Sequence, residues 1–361
     1  MLRSAWIMLA RLAISLLAVS ICLAMALLVL AWLGFGRQPG ESIWIGIRQM
    51  AQVMWERSLL PGHSYRYWIQ TLVAATPIML TGLAVAVAFR AGVLNIGGEG
   101  QYIAGAIAAT VVGLHAGHAP APVVQSLLLI ASNFGGAALA SVAAVLGIWR
   151  KVPVVLSTLM LNFIAIVVLK SLLQGWLHEA GAQLQSEQLP ESARLPHLLI
   201  DGRWTQLHLG FVIALCCALL LSVILRYTTL GFRLRAVGEN STAARFAGMP
   251  VGRTAVITLA MSGALAGLAG GIQISAVPAY QLLPSTGASG FGFTGIAVGL
   301  LGRLSPGGVV LAAIFFGWLQ TAFAALEEQL NAPFLALQAV QGMILIAMLI
   351  LTSDRLTRRR V

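Results

Sequence analysis

The chain has 361 residues, of which 59% are apolar and only 9% charged, whereas soluble domains carry about 25% charged residues. Such a composition cannot clothe a water-facing surface, which excludes a soluble enzyme, a nucleic-acid-binding domain and a disordered chain. The net charge of +11 comes from 22 basic and 11 acidic residues; on a membrane chain this excess reports topology and anionic lipid, not nucleic acid.

Charges are so sparse that the runs between them read directly as helices. Crossing a ~30 Å hydrocarbon layer at ~1.5 Å per residue takes about 20 residues. Six charge-free runs are one span long, and two, 100–149 and 254–302, hold two spans each. The first long run breaks at His115-Ala-Gly-His-Ala-Pro-Ala-Pro122 and the second between Pro278 and Gly290, both rich in turn residues. The chain is therefore expected to be all-α, a polytopic integral membrane protein with one transmembrane domain over 1–361. Its ten spans are placed at 12–34, 67–89, 101–115, 123–148, 152–170, 206–225, 254–277, 288–302, 306–326 and 331–352.

At the start, Arg3 and Arg11 precede an apolar stretch longer than the 7–15 residues usual in a signal peptide. It is expected to stay as an uncleaved first helix. With the N-terminus inside, the inner side holds fifteen basic and three acidic residues, a net +12 opposite a net −1 outside. This bias puts both termini on the cytoplasmic face. The outer segments are then 37–66 and 171–203. Within 42–60, Trp44, Ile47, Val53 and Trp55 stand among charges, a pattern that fits a helix lying in the interface or an irregular loop.

Between the second and third spans, Arg90-Ala-Gly-Val-Leu-Asn-Ile-Gly-Gly-Glu-Gly-Gln101 sets glycines and a carboxylate inside an apolar region. Broken backbone is tolerated in membranes only inside protein or around a cavity, and an ionisable group at depth needs a partner or water. Glu99 is read either as paired with Arg90 at the cytoplasmic interface or as standing near a translocation path, and the two roles are compatible. His115 and His118 share a turn without acidic or thiol neighbours, so no metal site is expected. Asn162, in the fifth span, is expected to bond a neighbouring helix or to line a polar path.

The inner loop 226–253 carries five arginines. Asn240 or Ser241 can cap a short helix through Ala243, Ala244 and Phe246, closed by Gly248 and stopped by Pro250. Beyond it, Gly263, Gly267 and Gly271 repeat every four residues and form a helix-packing stripe. Gly287-Ala-Ser-Gly290 resembles an intramembrane protease motif, but the last histidine, His208, lies upstream of Ser289 and no triad is evident. Cys22, Cys216 and Cys217 lie in apolar runs and imply neither disulfide nor metal. With two lysines and no Gly-x4-Gly-Lys-Ser/Thr cradle, the chain cannot be its own ATPase. Substrate contacts are expected from Asn95 and Glu99, then from Asn162, Gln273 and Thr294.

Taken together, these segments resemble a known family. Gly231, Arg235-Ala-Val-Gly-Glu-Asn240, Ala243-Ala-Arg245 and Ala247-Gly248, followed by Ser262-Gly-Ala-Leu-Ala-Gly-Leu-Ala-Gly270, look like the coupling segment of ABC-importer permeases in the ribose/branched-chain amino acid superfamily. Phe89–Gln101, Leu156–Asn162 and Gly292–Arg303 narrow the resemblance to the nucleoside and simple-sugar branch, and it runs from about 67 to 350. One departure is Val152-Pro-Val-Val155, where that branch is expected to carry an acidic residue. The resemblance implies a type II importer-like permease of the bacterial inner membrane. Its implied partners are a second permease subunit (sister or self), two cytoplasmic ATP-binding subunits and an extracytoplasmic substrate-binding lipoprotein. ATP and magnesium would sit on the partner ATPase, with no cofactor on this chain. Arg235, Gly238, Glu239, Asn240, Ala243, Ala244 and Gly248 would pass ATPase motion to the helices. The alternative is a stand-alone proton-coupled carrier using Glu99.

Overall fold

A computed structural model of the protein describes residues 20–21, 23–35, 41–59, 64–179, 184–200, 203–277, 283, 290–331 and 335–358. The start of the first expected span, Cys22 and the turn at 278–289 apart from Leu283, including Ser289, lie outside these residues. The helices are α1 (Leu23–Trp32), α2 (Ile43–Leu59), α3 (Ser64–Arg90), α4 (Gly98–His115), α5 (Ala121–Trp149), α6 (Val154–Gln174), α7 (Leu209–Tyr227), α8 (Thr229–Glu239), α9 (Ser241–Phe246), α10 (Val251–Ala276), α11 (Phe291–Leu301), α12 (Pro306–Leu330) and α13 (Leu335–Arg358). Between α6 and α7 stand two antiparallel strands, β1 (His197–Ile200) and β2 (Arg203–His208).

Each expected span contains a helix. Among the described residues six are long and apolar enough to cross a membrane: α3 from Arg66, α5, α6, α7, α10 and α12. α11 has 11 residues and extends only about 16 Å, half the hydrocarbon layer. Three other expectations are refined. The outer segment 42–60 is helical, as α2. The inner loop contains α8 besides the expected short helix, because Thr228 caps it, accepting from Gly231 N at 3.1 Å. The sixth span begins at Leu209 rather than 206, because residues up to His208 pair with β1.

The chain divides into two compact units, 1–74 with 314–361 and 75–313. In the first, α2 meets α1 at Gly46, which faces Ala31 and the Phe35 carbonyl. Met50 and Met54 follow at helical spacing and are buried, while Trp44 and Trp55 are exposed, so α2 is amphipathic. On its other helices Thr71 and Thr321 bring their hydroxyls to 3.3 Å.

The second unit is built on α4, α5 and α10. Gly263, Gly267 and Gly271 of α10 face Gly136, Ala140 and Ser132 of α5, Gly105 of α4 faces Gly267, and Gly270 faces the Tyr102 carbonyl. Side chains are absent where backbones touch, which maximises dispersion contact where lipid offers no hydrophobic contrast. These contacts run α4 parallel to α10 and α5 antiparallel to both. At the C-terminal end of α10, Leu195 N bonds Ser275 O at 2.8 Å, and nearby Ser192 Oγ bonds Gly117 O at 2.7 Å and Gln125 Nε2 bonds Arg194 O at 2.8 Å. The segment from 184 to 200 is thereby laid across the ends of α4, α5 and α10.

Candidate functional site

The segment 91–97 joins α3 to α4 without regular structure, yet much of it is buried. Its backbone therefore needs side-chain partners. Asn95, 2% exposed, supplies most of them. Its Nδ2 donates to Ser262 Oγ at 2.9 Å and to Gln101 Oε1 at 3.0 Å; its Oδ1 accepts from Gly97 N at 2.9 Å and Gln101 Nε2 at 3.1 Å. Two donors and two acceptor sites are all an amide has, so this side chain is fully spent. Ser262 in turn donates to the Ala84 carbonyl of α3 at 2.7 Å. From α6, Asn162 donates to Ile96 O at 3.1 Å and accepts from Gly100 N at 2.8 Å, while Thr158 accepts from Ile96 N at 3.3 Å. Helices α3, α6 and α10 thus hold the loop from three sides.

Glu99 opens α4, and its carboxylate reaches α11. Oε1 accepts from Gly290 N at 2.9 Å and Oε2 from Gly292 N at 2.7 Å. Gly290, at φ +74°, adopts a left-handed conformation that only glycine takes freely, turning its N–H toward the carboxylate. Gly292 packs on the backbone of Gly98 and Glu99, so the first turns of α4 and α11 abut. On the far side of α11, Thr81 donates to Phe291 O at 2.9 Å and faces Gly295. Thr81 lies about two and a half turns before α3 ends, so α11 starts deep in the unit.

Two helix N-termini, each equivalent to roughly half a positive charge, therefore meet at one carboxylate. The pair of charge-assisted bonds uses donors that α11 would otherwise leave orphaned. A carboxyl group at this depth is costly to charge alone; among the described residues the bonds that favour its charge come from the start of α11 and not from a basic side chain. Tyr102 and Phe291 add an aromatic contact across the junction, with centroids 5.7 Å apart.

Of the expected pathway residues, Asn95, Glu99 and Asn162 are brought together here, with their polar atoms bound to protein. Thr294 sits one turn into α11, 8% exposed, and Gln273 lies near the C-terminal end of α10, 5% exposed. Ser262, Gln101, Thr158 and Thr81 complete the junction and were not singled out from sequence. Ser262, Gln101 and Thr158 each stood inside a recognised motif, whereas Thr81 had no such mark.

The segment from α8 to Gly248 has an exposed tip. Asn240 Oδ1 caps α9, accepting from Ala243 N at 2.9 Å. At the other end Gly248 takes φ +77°, and Met249 N bonds Ala244 O at 2.9 Å, a left-handed helix stop. Ala244 is buried, whereas Glu239, Asn240, Ala243 and Phe246 are exposed, Phe246 by 90%. Arg235 is half-buried on α8. Gly238 lies against the Arg90 carbonyl and Ala91, so α8 touches the entry to the 91–97 loop. Just before α7, buried His208 has no hydrogen-bond partner on either ring nitrogen among the described residues.

Residues 67–353 match the family described as branched-chain amino acid transport system / permease component. Among similar proteins, the guanosine ABC transporter permease protein NupP of Bacillus subtilis is 34% identical over 327 residues, covering 90% of this chain and 89% of that one. The glucose ABC transporter permease protein TsgB13 of Haloferax volcanii is 32% identical over 81% of this chain and 78% of its own. The nucleoside ABC transporter permease protein NupB of Lactococcus lactis is 31% identical over 70% and 71%.

Proposed function

The chain belongs to the family of branched-chain amino acid transport system permease components, and on that premise we propose that it is the membrane permease of an ATP-binding-cassette importer for nucleosides. The observation that carries the cargo is the match, over nine-tenths of the chain, to a permease named for guanosine; a second relative is named for nucleosides. The junction chemistry supports a neutral solute. Glu99 already offsets the two helix ends that would otherwise attract an anionic group. A stand-alone proton carrier using Glu99 is not favoured, because this carboxylate is engaged in seating α11 and the relatives are ABC permeases.

In this reading ten helices cross the cytoplasmic membrane of a bacterium with both termini inside, in line with the net +12 of the inner loops and termini. Hydrolysis belongs to two partner ATPases, which hold ATP and magnesium; this chain is not an enzyme and binds no cofactor. A second permease and an outer binding lipoprotein complete the importer.

Coupling, in this reading, runs through α9 and α8. Partner ATPases closing on ATP press on α9 through the exposed Phe246 and its neighbours. α9 follows α8 after the single extended residue Asn240, and Gly238 of α8 bears on Arg90 and Ala91, at the root of the 91–97 loop. That loop is bonded to α6 and α10, and through Glu99 to α11. A displacement of α8 is thereby converted into a movement of the half-helices around the path.

The test is ATP-driven guanosine uptake in proteoliposomes holding this chain with its ATPase and sister subunits. Phe246→Asp is expected to abolish uptake and co-purification of the ATPase while the chain stays in the membrane. Undiminished ATP-driven uptake by that variant would sink the coupling assignment.

A further inference from the structure

We propose that Gln273 is the residue that reads the solute in the outer half of the pathway, through paired donor and acceptor hydrogen bonds to an uncharged, amide-like edge such as that of a nucleobase. This deepens the nucleoside reading and rests on it.

Asn95, Gln101, Asn162, Ser262 and Glu99 are buried, and the protein itself uses their polar atoms. Gln273 is enclosed to a similar degree, at 5% exposure, but its side chain has no hydrogen-bond partner among the described residues, and its amide atoms are not among those sealed from solvent. An amide that is reachable and not used by the protein is free to bond a visiting group.

Its position on α10 agrees. Ser262, Ala266, Ala269 and Gln273 are spaced by four, three and four residues and share one face. At its inner end that face meets the Ala84 carbonyl and the 91–97 loop. The other faces at the outer end are closed: Gly270 lies on the Tyr102 backbone of α4 and Gly271 on Ser132 of α5. Gln273 therefore stands about 16 Å along the helix from Ser262, on the face that bears the broken-helix junction.

The chemistry fits a neutral solute better than a charged one. A primary amide presents one N–H donor beside one C=O acceptor, the geometry that matches a nucleobase edge in two parallel bonds. A site that hydrogen-bonds its solute also discriminates strongly, because an analogue lacking the match leaves the amide unpaired.

The test uses the assembled importer in proteoliposomes. Gln273→Leu is expected to raise the KM for guanosine uptake at least tenfold, with ATPase activity and subunit assembly unchanged. Gln273→Cys, with Cys22, Cys216 and Cys217 changed to Ser, is expected to react with a membrane-impermeant maleimide added outside, and saturating guanosine is expected to slow that reaction. A Gln273→Leu importer with the wild-type KM, or a thiol at this position that guanosine fails to protect, overturns the assignment. Absence of guanosine uptake by the wild-type importer would instead overturn the nucleoside reading on which it rests, a failure visible without any variant at 273.

Discussion

Two regions of the 75–313 unit solve the same problem by opposite means. Where α4, α5 and α10 cross, glycines let regular helices touch, and each backbone group is satisfied within its own helix. Where the 91–97 loop meets α4 and α11, the helices are broken, so Asn95, Asn162, Ser262 and Glu99 must supply the missing bonds. Lipid provides no water to do so. The first region tolerates no added atoms, and the second no lost ones. Contact without side chains leaves no bond to exchange, whereas bonds between separate elements can be exchanged one for another.

Substitutions should separate the two kinds of region. The largest effect is expected from Gly267→Val, whose added carbons run into Ser132 and Gly136 backbone. Overpacking of about 3 kcal/mol or more should leave little folded chain in detergent extracts, as read by size-exclusion recovery. A normal yield would mean that the crossing can open.

Next comes Glu99→Ala, which strands two buried N–H groups of α11 at about 1–3 kcal/mol each. Thermal unfolding in detergent should show a clear loss. Glu99→Gln keeps one acceptor oxygen and should recover about half of it. Equal losses for both variants would show that the charge, balancing two helix ends, matters more than the bonds.

A smaller loss is expected from Asn162→Ala, about 1–2 kcal/mol, since interhelical polar contacts in membrane proteins are worth about that. Adding Asn95→Ala should cost more than the two single losses together, because both hold one loop. Strict additivity in a double-mutant cycle would deny that the loop moves as one piece. The smallest effect sets the scale: Asn240→Ala removes only the α9 cap, about 1 kcal/mol, and should lower ATPase stimulation before it lowers thermal stability.

Much of this was readable in one dimension. The spans follow from gaps between charges, the α9 cap and stop from Asn240 and Gly248, and the packing stripe from Gly263, Gly267 and Gly271. Each depends on residues within a few turns. The pair of strands β1 and β2 also left a mark, since Asp201-Gly202 between two apolar runs is a hairpin signal in the sequence. α8 was hidden because its mixed charges look like a loop until Thr228 is recognised as its cap.

The partner of Glu99 had no such mark. Gly290 and Gly292 stand more than 190 residues away along the chain, and a lone carboxylate among glycines fits pairing with Arg90 as well as burial near a path. Sequence by itself determined what is local or compositional: a polytopic helical chain, its charge asymmetry, its capped helix and its small-residue stripe. Only the tertiary structure decided that α11 is a half-helix, that two helix N-termini share one carboxylate, and that the amides of Asn95 and Asn162 are spent on the protein's own backbone and side chains. The reason is physical. Periodicity and caps are set by neighbours in sequence, whereas the bonds that satisfy broken backbone inside a membrane are made by whichever helix folding brings alongside.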